Sequence, residues 1–119
     1  MQFWKHLRSH KLGPEDAVNA LREGTAILID VREQAEVSST GHATGAIHIP
    51  LFRLQDMATP GHPDCHPSLD QTATIFLYCA SGGRSYSAAR LLRKLGYEDV
   101  HNIGGIGHWI RAGGQIEAP

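Results

Sequence analysis

Four short runs of strand-forming residues constrain the fold of this chain most strongly. The runs at residues 26–31, 46–49 and 74–78 are mainly apolar, and residues 99–103 form the fourth. Short apolar runs without a regular polar alternation are typical of strands that are covered on both faces in a parallel sheet. Glycine- and proline-containing segments separate them, and the longest of these, residues 58–72, is predicted to be a loop.

Helical signals occur between these strands or precede them. Gly13 and Pro14 are followed by two acidic residues, a pattern that predicts a helix start, and Gly24 predicts its end. Between residues 85 and 95, four apolar residues recur at helical spacing, namely Ala88, Leu91, Leu92 and Leu95. The alternation of strands and helices predicts an α/β fold with a parallel sheet.

The length and composition predict one domain over residues 1–119, with an N-terminal extension at residues 1–13 whose structure the sequence leaves open. Hydrophobic residues make up 41% and charged residues 19% of the chain, and the formal net charge is -1. The scattered basic residues disfavour nucleic acid as a partner. We expect a cytoplasmic protein without membrane contact, because we find no signal peptide and no membrane-spanning run.

The loop that follows the third strand is the segment most informative about function. It runs between a strand ending at residue 78 and a helix beginning near residue 85, with the sequence Cys79, Ala80, Ser81, Gly82, Gly83, Arg84 and Ser85. The carboxyl edge of an open α/β sheet is where ligands bind, and a helix start presents unpaired N–H groups. With two glycines to let the backbone curl, the loop is predicted to be a small anion-binding nest.

The helix start should also favour the thiolate form of Cys79, because helix N-termini lower the pKa of cysteine from its usual value of about 8.5. A thiolate that attacks a sulfane sulfur becomes a persulfide, whose terminal sulfur is an anion that the nest can hold. The alternative is that Cys79 is a small buried residue at a strand end. The adjacent glycines and helix start favour the functional interpretation.

Three further motifs accompany the loop. Residues 28–33 contain Asp-Val-Arg, residues 41–50 read Gly-His-Ala-Thr-Gly-Ala-Ile-His-Ile-Pro, and Gly104-Gly105 precede Trp109. Together with Cys-x-x-Gly-x-Arg-Ser at residues 79–85, they resemble the single-domain members of the rhodanese family, in the expected order. The resemblance extends from about Pro14 almost to the end of the chain.

This resemblance implies a three-layer fold in which a central parallel sheet of about five strands is flanked by helices on both faces. It also implies a sulfurtransferase that needs no metal or organic cofactor. Sulfane sulfur would move from a small anionic donor, thiosulfate or a persulfide, to a thiol or cyanide acceptor by double displacement at Cys79. A sulfur-relay protein is an expected partner. Basic residues often follow the cysteine in members that use thiosulfate, but Ala80 and Ser81 stand here, so thiosulfate is expected to be a poor donor.

The roles of the charged residues near the loop remain open from the sequence. Arg84 could attract anionic donors or form an outward salt bridge. Asp30 and Arg32 follow a strand end, and we favour a structural ion pair, or hydrogen bonds that fix a loop, over direct catalysis.

Two other functions remain as alternatives. Phosphatases and arsenate reductases also use a cysteine and arginine loop, but five residues separate the two in the phosphatase signature, whereas four intervene between Cys79 and Arg84. A non-catalytic, rhodanese-like regulatory module is the other alternative, and the cysteine present in the loop disfavours it. Cys65, the other cysteine, could act as a resolving thiol, and the histidines beside it, His62 and His66, match no common zinc signature.

Overall fold

The structure is a computed structural model that describes residues 11–119, so most of the predicted N-terminal extension lies outside the described residues. This part of the chain contains five helices: α1 (Pro14–Glu23), α2 (Gln34–Thr40), α3 (Leu54–Ala58), α4 (Gly83–Lys94) and α5 (Ile106–Arg111). A 3₁₀ turn, Leu51–Arg53, leads into α3. The strands are β1 (Ala26–Asp30), β2 (His42–Ala43), β3 (Ile47–His48), β4 (Thr74–Cys79), β5 (Asp99–Gly105) and β6 (Ile116–Glu117).

The central sheet is parallel, with the strand order β3-β1-β4-β5. Each of its strands corresponds to one of the four predicted runs, which confirms the α/β class. Within residues 11–119 the sheet therefore has four strands, fewer than the five or so that the resemblance implied. The remaining strands, β2 and β6, are two residues each and pair antiparallel outside this sheet.

Helices cover both faces of the sheet, as the three-layer prediction required. Along β4, Ile75 and Leu77 face a buried cluster that includes Ala88 and Leu92 of α4. Phe76 and Tyr78 point the other way, into a cluster that α1 and α5 complete with the side chains of Ala17, Val18 and Trp109. Every residue of β4 is buried, which explains why its sequence is continuously apolar rather than alternating.

The two predicted helices are confirmed. α1 runs from Pro14 to Glu23 and is followed by Gly24, which has a φ of 71° in the left-handed region. α4 begins at Gly83, two residues before the predicted start. The short helices α2 and α3 were not predicted. In α2 only Val37 is buried, so the segment has no apolar stripe from which a helix could be recognised.

The pairing of β4 with β5 is irregular at the carboxyl edge of the sheet. Leu77 lies opposite Asn102 but Cys79 lies opposite Gly105, so β5 has an extra residue in this interval. Gly104, inside the irregular stretch, has a φ of 97°. Such a bulge bends a strand, and it brings the end of β5 against the loop that follows β4.

None of the helices in the described part of the chain combines the length and apolar character that crossing a membrane would require.

Candidate functional site

Cys79 is the last residue of β4, and its side chain is almost fully enclosed, with 1% of the residue exposed. It lies at the carboxyl edge of the parallel sheet, between the ends of β1 and β5. α4 starts four residues later, so the intervening loop connects the thiol directly to a helix N-terminus. This is the location that the sequence predicted for the anion-binding nest.

Hydrogen-bond donors converge on the sulfur of Cys79. The backbone N–H of Gly82 donates to Sγ at 3.0 Å, and Oγ of Ser85 lies 3.4 Å from Sγ. Burial acts to raise the pKa of the thiol, but the Ser85 hydroxyl and the backbone N–H groups of Ser85, Gly82 and Ser81 outweigh it, and the pKa is lowered from its ordinary value. The loop therefore stabilises a sulfur anion.

The two loop glycines differ in what they contribute. Gly82 has a φ of 115°, which favours glycine, and a Cβ built on it would approach Cα of Gly104 to 3.3 Å. Gly83 is the first residue of α4, its φ is not positive, and a Cβ there would meet nothing within 4 Å. The predicted curl of the backbone therefore requires glycine at position 82, and the expectation that both glycines provide it was wrong for Gly83.

Asn102 fastens the loop to β5, a role that the sequence did not indicate. Its Nδ2 donates to the carbonyl oxygen of Gly82 at 3.0 Å, and its Oδ1 accepts from Oγ of Ser85 at 2.6 Å and from the N–H of Gly104 at 2.9 Å. The hydroxyl of Ser85 has one hydrogen, which it can give either to Asn102 or to the sulfur of Cys79. Asn102 thus holds the hydroxyl oxygen of Ser85 in a position 3.4 Å from the sulfur of Cys79.

Arg84 forms a two-pronged ion pair with Glu36 of α2. Its NH1 and NH2 groups donate to Oε1 at 2.5 Å and to Oε2 at 2.9 Å, and both side chains are about a third exposed. Hydrogen bonding from Arg84, and then from the backbone of Glu33, lowers the pKa of Glu36 to about 2. Of the two roles left open for Arg84, the salt bridge is the one present in the structure, and Glu36 is a partner that the sequence analysis missed.

Asp30 and Arg32 form a buried ion pair, 0% and 2% exposed. Nε and NH2 of Arg32 donate to the carboxylate of Asp30, the NH2 bond being 2.7 Å long. The hydroxyl of Tyr78 donates to the same carboxylate at 2.6 Å, while Arg32 also donates to Oγ1 of Thr40 and to the carbonyl of Gly41. The pair therefore ties the end of β1 to β4 and to the end of α2.

The second cysteine lies in the predicted loop after α3. Cys65 is half-buried and, like Cys79, is a free thiol. Nδ1 of His62 and Nδ1 of His66 accept hydrogen bonds from nearby backbone N–H groups, of Asp64 and Ser68, so each has a local structural role. Trp109 of the Gly-Gly motif is buried, at 3% exposed.

An open cleft of about 550 Å³ adjoins the loop. Ser81 and Gly82 form part of its wall, together with Tyr86 of α4 and His108 of α5. Tyr86 is 57% exposed although it is a large aromatic residue. The cleft gives a molecule larger than an inorganic anion room to lie beside the loop.

A family model, the rhodanese-like domain, matches residues 13–112 of the chain. Among relatives, the thiosulfate sulfurtransferase GlpE of Pseudomonas fluorescens (strain SBW25) is 32% identical over 97 residues, which cover 81% of this chain and 81% of that protein. This match agrees with the resemblance found in the sequence motifs.

Solved structures with a similar fold include the human single-domain sulfurtransferase TSTD1, with a TM-score of 0.73 and 26% identity, covering 85% of this chain and 95% of that one. A protein of unknown function from Rhodopseudomonas palustris CGA009 is described as a possible tyrosine phosphatase. It has a TM-score of 0.79 and 30% identity, and the match covers 90% of this chain and 83% of that one. Similar proteins have thus been given both of the catalytic functions considered above.

Proposed function

The chain belongs to the rhodanese-like domain family, and from this we propose that it is a sulfurtransferase that carries sulfane sulfur as a persulfide on Cys79. The observation that carries the proposal is the group of donors around the sulfur, with the N–H of Gly82 at 3.0 Å and Oγ of Ser85 at 3.4 Å. They favour the thiolate over the thiol, and the thiolate is the nucleophile in sulfur exchange.

The proposed reaction has two displacements. The Cys79 thiolate attacks the outer sulfur of thiosulfate or of a persulfide, a new S–S bond forms on Cys79, and sulfite or a thiolate leaves. A thiol or cyanide then attacks the terminal sulfur, a bond forms to the acceptor, and the Cys79 thiolate is released as the leaving group. Neither step requires an external oxidant or reductant, since sulfane sulfur passes unchanged in oxidation state from one nucleophile to the next.

The loop suits both halves of this cycle. A persulfide extends the negative charge by one sulfur atom, and the N–H groups at the start of α4 supply donors and the positive end of the helix dipole. Ser81 and Gly82 belong to both the loop and the adjoining cleft, so a donor in the cleft would lie next to the donors that surround Cys79.

Phosphatase or arsenate reductase activity is the second candidate, favoured by the structural neighbour described as a possible tyrosine phosphatase. Two observations weigh against it. Only four residues separate Cys79 from Arg84, which makes a smaller loop than the phosphatase signature. In addition, both terminal nitrogens of Arg84 are bound to Glu36, whereas an oxyanion site would need that guanidinium for its substrate.

A binding module without catalysis would not need a cysteine with a lowered pKa.

The test is to assay thiocyanate formation from cyanide with thiosulfate, and separately with a small persulfide, using wild type, Cys79→Ser and Cys65→Ser. We expect turnover in wild type and Cys65→Ser and none in Cys79→Ser. Turnover that survives in Cys79→Ser would overturn the proposal. Hydrolysis of an aryl phosphate that depends on Cys79, without thiocyanate formation, would establish the phosphatase alternative instead.

The cellular setting is also a proposal. Both thiols are free, which suits a reducing compartment such as the cytoplasm. A sulfur-relay protein is the proposed macromolecular partner, since a persulfide on an enclosed cysteine is protected from solvent until a partner thiol reaches the loop. Labelling a partner through a mixed disulfide with Cys79 would test this.

A further inference from the structure

The cationic side chain of the active loop is paired with an acidic side chain of α2. Among residues 79–85 the one cationic side chain is Arg84. Its guanidinium donates to both carboxylate oxygens of Glu36. The positive charge that the loop itself contributes is therefore matched by a negative charge in direct contact with it.

Glu36 is held in place independently of Arg84. Its Oε1 accepts a hydrogen bond from the backbone N–H of Glu33 at 2.9 Å, across the first turn of α2. The carboxylate of Glu33 also interacts electrostatically with Arg84, as does Cys79. The guanidinium thus interacts with the thiol and with two acidic side chains, and Glu36 is fixed to it by two hydrogen bonds.

This arrangement affects sulfur donors unequally. Thiosulfate carries two negative charges and must approach a thiolate, so an unpaired cation at the loop would favour its reaction. A persulfide that reacts as R–S–SH or R–S–S⁻ carries at most one charge on the sulfur that is transferred. Because the charge of Arg84 is already paired with that of Glu36, it attracts thiosulfate less than a free guanidinium would. The loss is greater for the dianion thiosulfate than for a persulfide with at most one such charge.

We propose that Glu36 is a specificity-determining residue that selects low-charge persulfide donors over dianionic thiosulfate by neutralising Arg84. The inference rests on the proposed sulfurtransferase function. In the preferred reaction the Cys79 thiolate attacks the outer sulfur of R–S–SH, the donor S–S bond breaks, and R–S⁻ leaves, so that the proton stays on the transferred sulfur or passes to solvent. Glu36 acts through Arg84 and does not touch the reacting atoms.

The test compares kcat/KM for thiosulfate with kcat/KM for a small persulfide, with cyanide as the acceptor in both assays. Glu36→Gln removes the charge but keeps an oxygen that can accept from Glu33, so α2 retains its first turn. We expect the ratio of thiosulfate to persulfide kcat/KM to rise about tenfold, chiefly through a lower KM for thiosulfate. Glu36→Asp keeps the charge, and its ratio should stay near that of wild type.

The control for overall charge is Glu23→Gln. Glu23 is exposed at the end of α1 and lines a surface pocket together with Thr74. Thr74 is the first residue of β4 and Cys79 is the last, so Glu23 lies at the opposite end of this strand from Cys79. In Glu23→Gln the ratio of thiosulfate to persulfide kcat/KM should match that of wild type. An unchanged or lower ratio in Glu36→Gln would overturn the inference, as would an equal rise in Glu23→Gln.

The failure of this inference and that of the proposed function are distinguishable. If wild type transfers sulfur and the ratio does not respond to Glu36→Gln, only the role of Glu36 is overturned. If wild-type Cys79 takes up sulfur from neither donor, the sulfurtransferase proposal fails, and the selectivity inference fails with it. Thermal unfolding of each variant shows whether a change in the ratio reflects charge or a loss of structure.

Discussion

The backbone of Gly105 lies directly against the carbonyl group of Ala80. A Cβ built on Gly105 would be 2.1 Å from the oxygen of Ala80 and 2.8 Å from its carbonyl carbon, both of them backbone atoms. The end of β5 therefore supports the active loop through a contact that admits only glycine.

Replacing this glycine should displace the loop. In Gly105→Ala the methyl group must push the backbone at Ala80 away, so we expect sulfur transfer to cyanide to fall by about 10- to 100-fold, in line with the cost of small misplacements in active sites. Gly107→Ala in α5 is the control, because a Cβ there meets only the end of the flexible Arg111 side chain, at 3.3 Å. Unimpaired transfer in Gly105→Ala would show that the loop does not depend on this contact.

The Ser85 hydroxyl should control the acidity of Cys79. The pKa of Cys79 lies below its ordinary value because donors around the sulfur outweigh burial, and the Ser85 hydroxyl is the largest of the lowering contributions. In Ser85→Ala, less stabilisation of the thiolate should raise the pKa. The pH dependence of alkylation by iodoacetamide, measured in a Cys65→Ser background, should therefore shift to higher pH. A profile that stays in place would contradict this view of the loop.

The sequence contained the location of the site but not its supporting contacts. Cys79, Gly82 and the helix start lie close together in the chain, within residues 79–83, so strand, nest and helix dipole could be recognised together. Glu36 and Arg84, in contrast, are separated by 48 residues, and Ser85 and Asn102 by 17. No local pattern indicates such pairs, because their contact depends on how α2 and β5 pack against the loop.

The same distinction holds for the fold. A strand such as β4 is visible in the sequence because burial on both faces leaves it without a polar alternation. The antiparallel pair of β2 and β6 joins two-residue segments far apart in the chain, too short to leave a periodic signal. The fifth strand of the central sheet was expected from the family resemblance alone, not from a fifth apolar run.

The ion pair between Glu36 and Arg84 should give stability that depends on pH. The pKa of Glu36 is lowered from 4.5 to about 2, so its contribution is fully present above about pH 4.5 and is lost as the pH falls toward 2. The difference in unfolding free energy between wild type and Glu36→Gln, measured by urea titration, should shrink over this range. A difference that is the same near neutral pH and near pH 2 would contradict the assignment.

Removing Arg32 should destabilise the protein strongly. Asp30 would remain buried without its cationic partner, which typically costs about 3–5 kcal/mol. Arg53→Ala is a control, because its ion pair with Asp64 is exposed and such pairs contribute about 0–1 kcal/mol. Urea unfolding followed by circular dichroism measures the loss of stability in Arg32→Ala and in Arg53→Ala.

A second variant keeps this prediction testable if Arg32→Ala does not fold. Tyr78→Phe removes the hydroxyl that donates to Asp30 and accepts from the N–H of Ala43. We expect a loss of about 1–3 kcal/mol. Stability equal to wild type in Tyr78→Phe would mean that the network around Asp30 contributes little.

The most direct test of the account is peptide mass spectrometry of the protein after incubation with a small persulfide, and separately with thiosulfate, followed by cyanide. We predict that the peptide containing Cys79 gains the mass of one sulfur atom, more completely from the persulfide, and loses it to cyanide, while Cys79→Ser gains none at this position. A folded wild-type protein whose Cys79 stays unmodified with both donors would contradict the account.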